Sequence, residues 1–308
     1  MTDFFMTVRG RSGDGYSNRL GPAKFLCVPD KEQPTKEYEE SFTAWMKKVR
    51  AASGASSDKK GNVVFFVHGY NTEVMDMERR HHDITKGLKK AGFKGAVIGF
   101  DWPSNGRTLE YVFDRLDARA AANHLMSYGI RPFAERQEPD CDVNVHVLAH
   151  SMGAFLVREA FDYADDDNAT AQTSWTMSQI ALVAADISSK SMKDGSANSR
   201  SMIRRATRIT NYFSKHDEVL SISEIKRVGV SRRLGRVGAP DARSEKVVNL
   251  DCSDLYKASP DLHGTTDSHR WYFESPRFYK DLTATFVSNL DRDVIAGREP
   301  AAGGLRLA

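Results

Sequence analysis

Residues 144–154 read NVHVLAHSMGA, and this stretch decides the fold. An apolar run of strand type leads into Ser151, which is flanked by small residues. A helical pattern follows at once, because Leu156, Ala160 and Phe161 recur at the spacing of one helix face. A strand, a sharp turn and a helix with a serine at the apex are typical of a nucleophile elbow. The stretch therefore predicts Ser151 as a nucleophile.

The residues on either side of Ser151 depart slightly from the usual elbow pattern. That pattern is Gly-x-Ser-x-Gly, because the strained turn leaves no room for side chains two residues before and after the serine. Here Ala149 takes the first small position and Gly153 the second, so one methyl group replaces a hydrogen. Taken alone, the motif also fits an ordinary strand-to-helix turn with a surface serine.

Length and composition indicate a folded α/β protein without a membrane anchor. The 308 residues, of which 40% are hydrophobic and 28% charged, are enough for one large domain or two small ones. No apolar run approaches the roughly 20 residues of a membrane span. Residues 1–9 have no basic segment followed by a cleavage site, so we expect a strand there and no signal peptide.

The three cysteines point to a reducing compartment. Cys27, Cys141 and Cys252 are far apart, odd in number and not spaced as metal ligands. Each lies in or beside an apolar stretch, so we expect buried free thiols and a cytoplasmic location. We expect neither a metal nor a cofactor.

Strand patterns alternate with helical patterns along the chain. The predicted strands are residues 4–9, 24–28, 63–67, 96–100, 144–150, 179–185, 208–213 and 246–250. The predicted helices are residues 36–50, 74–88, 108–128, the stretch after the elbow and 278–290. This alternation predicts a mostly parallel central sheet with helices on both faces. We expect one domain over residues 1–295 and a loose tail over residues 296–308.

A serine elbow on such a sheet is the arrangement of the α/β-hydrolase fold. In this fold the serine, an acid and a histidine follow in that chain order, each after the C-terminal end of a strand. The acid position after strand 208–213 contains Asp217, which we favour. Asp186, one strand earlier, and Asp251, inside the last strand, are alternatives.

Two histidines compete for the position of the base after the last strand. His269 precedes an aromatic run that would anchor its loop, whereas His263 has the setting of an ordinary loop histidine beside glycine. We therefore predict a triad of Ser151, Asp217 and His269. In it, His269 takes the serine proton and Asp217 orients the imidazole.

Backbone amides complete the predicted chemistry. A tetrahedral intermediate needs N–H donors already in place, and in this fold one follows the nucleophile and one follows the first central strand. These are the amides of Met152 and Tyr70, and Gly69 allows the backbone to approach a ligand closely. Further pocket residues are expected in the loops around the serine, namely His68, Gly69, Trp102, His150 and Tyr212.

Seven segments together carry a more specific pattern than the elbow alone. They are FFVHGYN (65–71), FDWPS (100–104), LAHSMG (148–153), AADI (184–187), YFSKHDEVL (212–220), RLGRVG (233–238) and HRWYFESP (269–276). In this order they resemble a bacterial α/β-hydrolase family long catalogued without an assigned function, over residues 60–290. The resemblance implies Ser151, Asp217 and His269 as the triad and adds little about the substrate.

The sequence favours an open cleft for small or medium acyl esters. Lids in this fold usually follow the strand after the elbow, and residues 188–207 are too few for a cap domain, so we expect a small cap or none. Tyr70, Trp102, Met152 and Tyr212 are expected to supply an apolar wall. Serine at the elbow disfavours epoxide hydrolases and haloalkane dehalogenases, which place Asp there.

A basic stretch over residues 200–236 holds ten Lys or Arg and three Asp or Glu. Aromatic residues hardly interleave with the charges, so we interpret the stretch as a solvated face and expect no nucleic-acid partner. We also expect no stable membrane insertion. The oligomeric state stays open, with a homodimer as one alternative.

The resulting hypothesis is a serine hydrolase that cleaves small-molecule carboxylic esters through an acyl-enzyme. The same machinery cleaves amides, thioesters and lactones, which remain alternatives. A hydrolase-fold protein that binds a ligand or partner without catalysis is the alternative from another class.

Overall fold

One sheet runs through the centre of the protein. The computed structural model describes residues 2–30, 32–104, 111–134, 142–225, 231–240, 245–263 and 267–308. Within these ranges the strands are β1 (Thr2–Ser12), β2 (Gly15–Pro29), β3 (Glu39–Glu40), β4 (Gly61–Val67), β5 (Ala96–Asp101), β6 (Val143–His150), β7 (Met177–Val183), β8 (Ala206–Phe213), β9 (Val247–Asp251), β10 (Arg298–Ala301) and β11 (Gly304–Leu307). Their order across the sheet is β10-β11-β9-β8-β7-β6-β4-β5-β1-β2-β3.

The centre of the sheet is parallel and its edges are antiparallel. Parallel pairing extends from β1 across β5, β4, β6, β7, β8 and β9 to β11. The β1–β2, β2–β3 and β10–β11 pairs are antiparallel. Strands covered on both faces favour apolar residues at successive positions, and residues 63–67 of β4 are such a continuous β-branched and aromatic run. The predicted fold class, with a mostly parallel central sheet, is confirmed.

Helices cover both faces of this sheet. The helices of the described ranges are α1 (Phe42–Ala52), α2 (Val74–Lys90), α3 (Tyr111–His124), α4 (Arg131–Ala134), α5 (Gly153–Asp166), α6 (Asn168–Ala171), α7 (Arg200–Arg205), α8 (Glu218–Ile225), α9 (Leu234–Val237), α10 (Ser253–Lys257) and α11 (Pro276–Val287). Alternate β4 side chains enter different cores, because successive strand residues point to opposite faces. Val63 and Phe65 join a core with α1, α3 and α5, whereas Val64 and Phe66 join a core with α2 and α11.

The N-terminal strands are longer than their sequence pattern predicts. Residues 4–9 and 24–28 were the expected strands, and β1 and β2 extend beyond both to form one antiparallel hairpin. Strand β1 also pairs in parallel with β5, which places Thr7 opposite Asp101. The hairpin therefore carries polar residues of β1 to the C-terminal edge of the sheet.

The helix predicted for residues 36–50 begins later in the structure. Residues Lys36–Tyr38 form a 3-10 turn, and Glu39–Glu40 form the short edge strand β3. Helix α1 starts at Phe42 because the Ser41 hydroxyl accepts a hydrogen bond from the Ala44 amide and so caps the helix. The apolar residues at helical spacing continue across the start of α1, so the sequence pattern does not show where the helix begins.

The C-terminal residues 296–308, expected to be a loose tail, contain the hairpin of β10 and β11. Strand β11 pairs in parallel with β9, so the hairpin extends the sheet. Arg298 anchors it, because its buried guanidinium donates from Nε to Asp281 Oδ2 at 2.6 Å. Gly304 fits at the turn because a Cβ there would lie 2.7 Å from the Asn249 carbonyl oxygen. The glycine and alanine residues that suggested a loose tail thus form the tight turn of this hairpin.

Two further segments bear on access to the site. The helix predicted for residues 108–128 includes α3 and a π-helical turn at Leu125–Ile130, while residues 108–110 lie outside the described ranges. Between β7 and β8 the chain forms only short 3-10 turns and the six-residue α7, which agrees with a small cap.

Among the described residues, no helix has the length and apolar character needed to cross a membrane.

Candidate active site

Ser151 lies at the apex of a strained turn between β6 and α5. Its φ of 55° falls in the left-handed region, which non-glycine residues seldom adopt. Its amide donates to the Val183 carbonyl oxygen at 3.0 Å. Gly153 is required by packing, because a Cβ there would lie 2.4 Å from the Val67 carbonyl oxygen. Ala149 is fully buried, so the sheet accommodates the methyl group that replaces the usual glycine hydrogen.

Asp217 and His269 form a buried pair at the same edge of the sheet. Asp217 follows β8, and its Oδ2 lies 2.7 Å from His269 Nδ1. The other oxygen, Oδ1, accepts from the Leu220 amide at 2.9 Å and so caps α8. Because Nδ1 donates its proton to Asp217, Nε2 is the acceptor atom of neutral His269.

The charge balance around His269 favours a proton on its ring. Burial is the largest single influence and lowers the pKa of His269, but the charge and hydrogen bond of Asp217 outweigh it. The pKa of His269 is therefore raised above its ordinary value of 6.5. The Nε2 atom is buried and has no hydrogen-bond partner among the described residues, Ser151 included. This nitrogen is available for a reacting group.

His150 connects the elbow to the loop of His269. It precedes Ser151, its Nε2 lies 3.1 Å from the His269 carbonyl oxygen, and the centroids of the two imidazole rings are 4.7 Å apart. Burial, followed by the charge of His269, holds the pKa of His150 well below its usual range. His150 is therefore neutral and donates its Nε2 proton to the carbonyl oxygen. It ties the base loop to the residue next to the nucleophile.

The alternative acids have other partners. Asp186 Oδ1 lies 3.2 Å from Nε of Arg233, outside hydrogen-bond alignment, and both side chains are buried. The Asp186 amide donates to the Ser151 carbonyl oxygen at 3.0 Å, so this residue supports the elbow. Asp251 accepts from the Ser253 amide at 2.8 Å and so holds the start of α10. Of the three, Asp217 has the contact with His269 that a triad acid requires.

His263 lies at the surface. Its Nε2 is 2.7 Å from the Tyr256 carbonyl oxygen, and its ring packs on the Tyr256 ring at 4.2 Å between centroids. Neither contact involves Asp217 or the elbow. His263 therefore has the setting of an ordinary loop histidine.

Gly69 brings the loop after β4 against the nucleophile. A Cβ on this residue would lie 2.7 Å from the Ser151 Cβ, so only glycine fits without displacement. The neighbouring Tyr70 is partly buried against the core, and Asn71 has a left-handed φ of 52°. Met152 precedes α5, whose first amides lack partners within the helix. Of the two predicted amide donors, Met152 follows Ser151 directly in the chain, and Tyr70 follows the glycine that packs against the Ser151 Cβ.

A buried polar network from β1 holds this loop. Arg9 is fully buried and donates from Nε to Asp101 Oδ1 at 2.7 Å and from Nη2 to the Thr72 carbonyl oxygen at 2.6 Å. Thr7 donates to the second oxygen of Asp101 at 2.9 Å. Sequence reasoning missed Arg9, because an arginine near the end of a predicted strand is normally solvated. Its role arises only from the pairing of β1 with β5.

His68 and Trp102 belong to the core beneath the loop. Their rings are stacked with centroids 5.3 Å apart, and Trp102 Nε1 donates to the His68 carbonyl oxygen at 3.0 Å. His68 Nε2 accepts from the Trp102 amide, while Nδ1 donates to the Gly69 carbonyl oxygen at 2.8 Å. Burial lowers the pKa of His68, which agrees with a neutral ring. Trp102 is fully buried, so its expected place in an open pocket wall is corrected.

Tyr212 also lies outside the substrate wall. Its side chain is fully buried, and its hydroxyl donates to Asp281 Oδ1 on α11 at 2.7 Å. The ring packs against Phe278 of the same helix, with centroids 5.1 Å apart. The expectation that Tyr212 lines the pocket is therefore corrected: successive residues of β8 point to opposite faces, and this one points to α11.

The basic stretch over residues 200–236 is largely paired in its described part. The ion pairs are Arg204–Asp165 (2.5 Å), Arg205–Asp165 (3.2 Å), Arg208–Asp291 (3.2 Å), Arg233–Asp186 (3.2 Å) and Arg236–Glu224 (3.6 Å). Residues 226–230 of this stretch lie outside the described ranges. Among the described residues, no group of three or more His, Cys, Asp or Glu is arranged to hold a metal ion.

Residues 40–284 match the family described as alpha/beta hydrolase of unknown function (DUF900). An uncharacterized protein of Nostoc sp. is 39% identical over 62 residues, which cover 20% of this chain and 15% of that protein. The match thus spans a small part of each of the two proteins.

Two solved structures match the chain at low similarity. A cutinase-like protein from Cryptococcus sp. is 11% identical with a TM-score of 0.36, and the match covers 77% of this chain and 97% of that chain. Phospholipase PlaB from Legionella pneumophila is 13% identical with a TM-score of 0.31, covering 56% and 43%. At these scores, neither likeness says anything about the activity of this chain.

Proposed function

The chain belongs to this family of α/β hydrolases, and on that premise we propose that it is a serine hydrolase that cleaves carboxylic esters. The observation that carries the proposal is the buried contact of 2.7 Å between Asp217 Oδ2 and His269 Nδ1. Nε2 of His269 then has no hydrogen-bond partner among the described residues. Ser151, in the strained turn between β6 and α5, lies at the same edge of the sheet. This combination provides a nucleophile, a base and an orienting acid.

In the proposed reaction, Ser151 Oγ attacks the ester carbonyl carbon while His269 Nε2 accepts the hydroxyl proton. Asp217 stabilises the imidazolium, and the Tyr70 and Met152 amides donate to the oxyanion. His269 returns the proton to the leaving alcohol as the carbon–oxygen bond breaks, which leaves an acyl-enzyme. Water, deprotonated by His269, then releases the acid and restores the hydroxyl of Ser151.

A hydrogen bond between Ser151 and His269 belongs to the substrate complex in this proposal. Catalytic contacts are often long or poorly aligned without substrate and tighten when it binds. The hydrogen bond of His150 to the His269 carbonyl oxygen links the base loop to the elbow and so keeps the two segments together. Amide, thioester and lactone cleavage use the same groups and remain alternative reactions.

We propose small to medium acyl groups as substrates, and a cytoplasmic location. The short segment between β7 and β8 supports a site without a cap, and Tyr70 is the partly exposed residue left from the predicted apolar wall. Cys27 and Cys252 are free thiols, as in proteins of reducing compartments. Burial raises the pKa of the Cys27 thiol to about 11 and also raises that of Cys252, so both are protonated and unreactive. Cys141 lies outside the described ranges.

The test is fluorophosphonate labelling combined with hydrolysis of 4-nitrophenyl esters of increasing chain length. We expect labelling of the wild type, turnover that declines towards long chains, and loss of both in Ser151→Ala. The matched control is Ser188→Ala, a serine on the segment after β7 whose hydroxyl contacts Ser231. Full activity of Ser151→Ala would refute the proposal. Absence of labelling in folded wild type would favour a binding protein without catalysis.

A further inference from the structure

Arg80 on α2 lies within two hydrogen bonds of the backbone that faces Ser151. Its Nη1 donates to Thr72 Oγ1 at 2.9 Å, and this hydroxyl lies 3.2 Å from the Gly69 carbonyl oxygen, to which it donates. Gly69 in turn packs against the Cβ of Ser151. The side chain is only partly exposed, so the guanidinium is held next to the loop that carries the Tyr70 amide.

The charges around Arg80 do not balance. Asp76 is bound to Arg79 at 2.8 Å, and Asp267 is bound to Arg270 at 3.0 Å. Three arginines thus share two carboxylates, and among the described residues no carboxylate oxygen lies within 4.0 Å of the Arg80 guanidinium. Burial, followed by the charge of Arg270, lowers the pKa of Arg80. Asp76 and Asp267 raise this pKa, but each is already bound to another arginine. A partly buried cation is costly unless something pairs with it, and the described residues place no carboxylate in direct contact with Arg80.

The positive charge of Arg80 acts on His150, the residue next to the nucleophile. After burial and the charge of His269, the charges of Arg80 and Arg270 help to lower the pKa of His150. Of these two arginines, Arg270 is paired with Asp267, whereas Arg80 has no ion pair among the described residues. A guanidinium has five N–H donors in a planar fork, and among the described residues the hydrogen bond of Arg80 is the one from Nη1 to Thr72. The remaining donors suit the oxygen pairs of a carboxylate or phosphate.

We infer that Arg80 binds an anionic group of the substrate, so that the preferred ester carries a carboxylate or phosphate beside the scissile bond. The inference rests on the proposed serine-hydrolase function and narrows its substrate class. It also assigns a specificity-determining role to a residue that contacts none of the three predicted triad side chains. Binding of the anion supplies the counter-charge that Arg80 lacks among its described neighbours.

Two matched ester pairs test the inference. In one pair the charge is on the acyl side, with 4-nitrophenyl hydrogen adipate compared with 4-nitrophenyl hexanoate. In the other it is on the alcohol side, with 4-acetoxybenzoate compared with its methyl ester. For at least one pair we expect kcat/KM of the charged member to exceed that of the neutral member by about tenfold, as for a charge-assisted hydrogen bond.

Substitution of Arg80 tests whether this side chain causes the preference for charged esters. In Arg80→Met the ratio of kcat/KM between charged and neutral esters should fall to about one, mainly through KM, and Arg80→Lys should retain part of it. Arg79→Met is the matched control on the same helix and should retain the full ratio. Competitive inhibition by acetate or by inorganic phosphate, at constant ionic strength, identifies the anion class if it disappears in Arg80→Met.

The outcomes separate this inference from the proposal on which it rests. If neutral esters are cleaved and charged ones are not preferred, the role of Arg80 is refuted while the serine-hydrolase function stands. The same holds if Arg80→Met slows both members of each pair equally, since Arg80 would then only support the Thr72 loop. If no ester is cleaved and no fluorophosphonate bound, the proposed function itself fails.

Discussion

Asp217 and Asp186 occupy equivalent places on neighbouring strands but have different partners. Asp217 follows β8 and contacts His269 at 2.7 Å, whereas Asp186 follows β7 and pairs with Arg233 at 3.2 Å. Both carboxylates are buried at the same edge of the sheet. The sequence favoured Asp217 and kept Asp186 as an alternative, and the partner of each carboxylate now distinguishes them.

The difference shows how a partner decides what a buried carboxylate does. His269 exchanges a proton near neutral pH, so a carboxylate beside it can stabilise a charge that appears during a reaction. Arg233 keeps its charge at all ordinary pH values, so its pairing with Asp186 is permanent. That pair fastens the segment at α9 to the turn after β7, where Gly235 packs so tightly that a Cβ would lie 2.2 Å from the Ala184 backbone. One pair suits catalysis and the other suits structure.

The largest effect is expected from Asp217→Asn. The Asn oxygen still accepts from the Leu220 amide and caps α8, but its NH2 group then faces Nδ1 and imposes the wrong tautomer on His269. We expect kcat for ester hydrolysis to fall by about 10⁴-fold with little change in unfolding temperature. His263→Asn is the matched control and should change kcat less than twofold. A loss in the control equal to that in Asp217→Asn would contradict the assignment.

Asp186→Asn should show the opposite profile. Removing its charge takes from the buried Arg233 guanidinium the carboxylate that it pairs with, which costs about 3–5 kcal/mol of the free energy of unfolding. The backbone bond from the Asp186 amide to Ser151 is unchanged, so we expect activity of the folded enzyme to stay within about tenfold of wild type. Urea unfolding and kcat/KM measured on the same sample check both parts. A loss of activity matching that of Asp217→Asn, without destabilisation, would reverse the two roles.

The smallest expected effect is on the pH dependence of activity, which compares how Asp217 and Asp186 influence the pKa of His269. Burial lowers the pKa of His269, and Asp217 raises it most, with smaller contributions from Asp267 and Asp186. Because neutral His269 is the active base, kcat/KM should fall as pH drops through a pKa above 6.5. NMR titration should find this pKa lowered in Asp217→Asn and lowered less in Asp186→Asn. An unchanged pKa in Asp217→Asn would argue against the pair.

The same pKa shift links His269 to stability. The folded-state pKa lies above the ordinary value of 6.5, so protonation of His269 favours the folded protein. This contribution is complete below the unfolded-state pKa and is lost as pH rises through the folded-state pKa. Asp217→Asn should remove most of this pH dependence, which unfolding measured across the range would detect.

Local patterns predicted most of the fold and the residues at the centre of the candidate site. The apolar runs within β4 and β5 and the apolar-rich β6 predicted buried parallel strands, and the small residues around Ser151 predicted the turn between strand and helix. Boundaries were less accurate where a single hydrogen bond decides them, as for Ser41 at the start of α1. Tyr212 was misplaced because a strand pattern does not indicate which face a residue points to.

Sequence by itself determined the order of strands and helices, the elbow serine, and a short set of acids and histidines able to join it, because these follow from residue spacing and chain order. Tertiary structure alone decided that Asp217 and not Asp186 contacts His269, that Arg9 supports the loop of Tyr70, and that Arg80 has no carboxylate partner among the described residues. The reason is distance: His269 and Asp217 are 52 residues apart in the chain. Only the packed sheet brings them into contact, and electrostatic interactions depend on separation and burial.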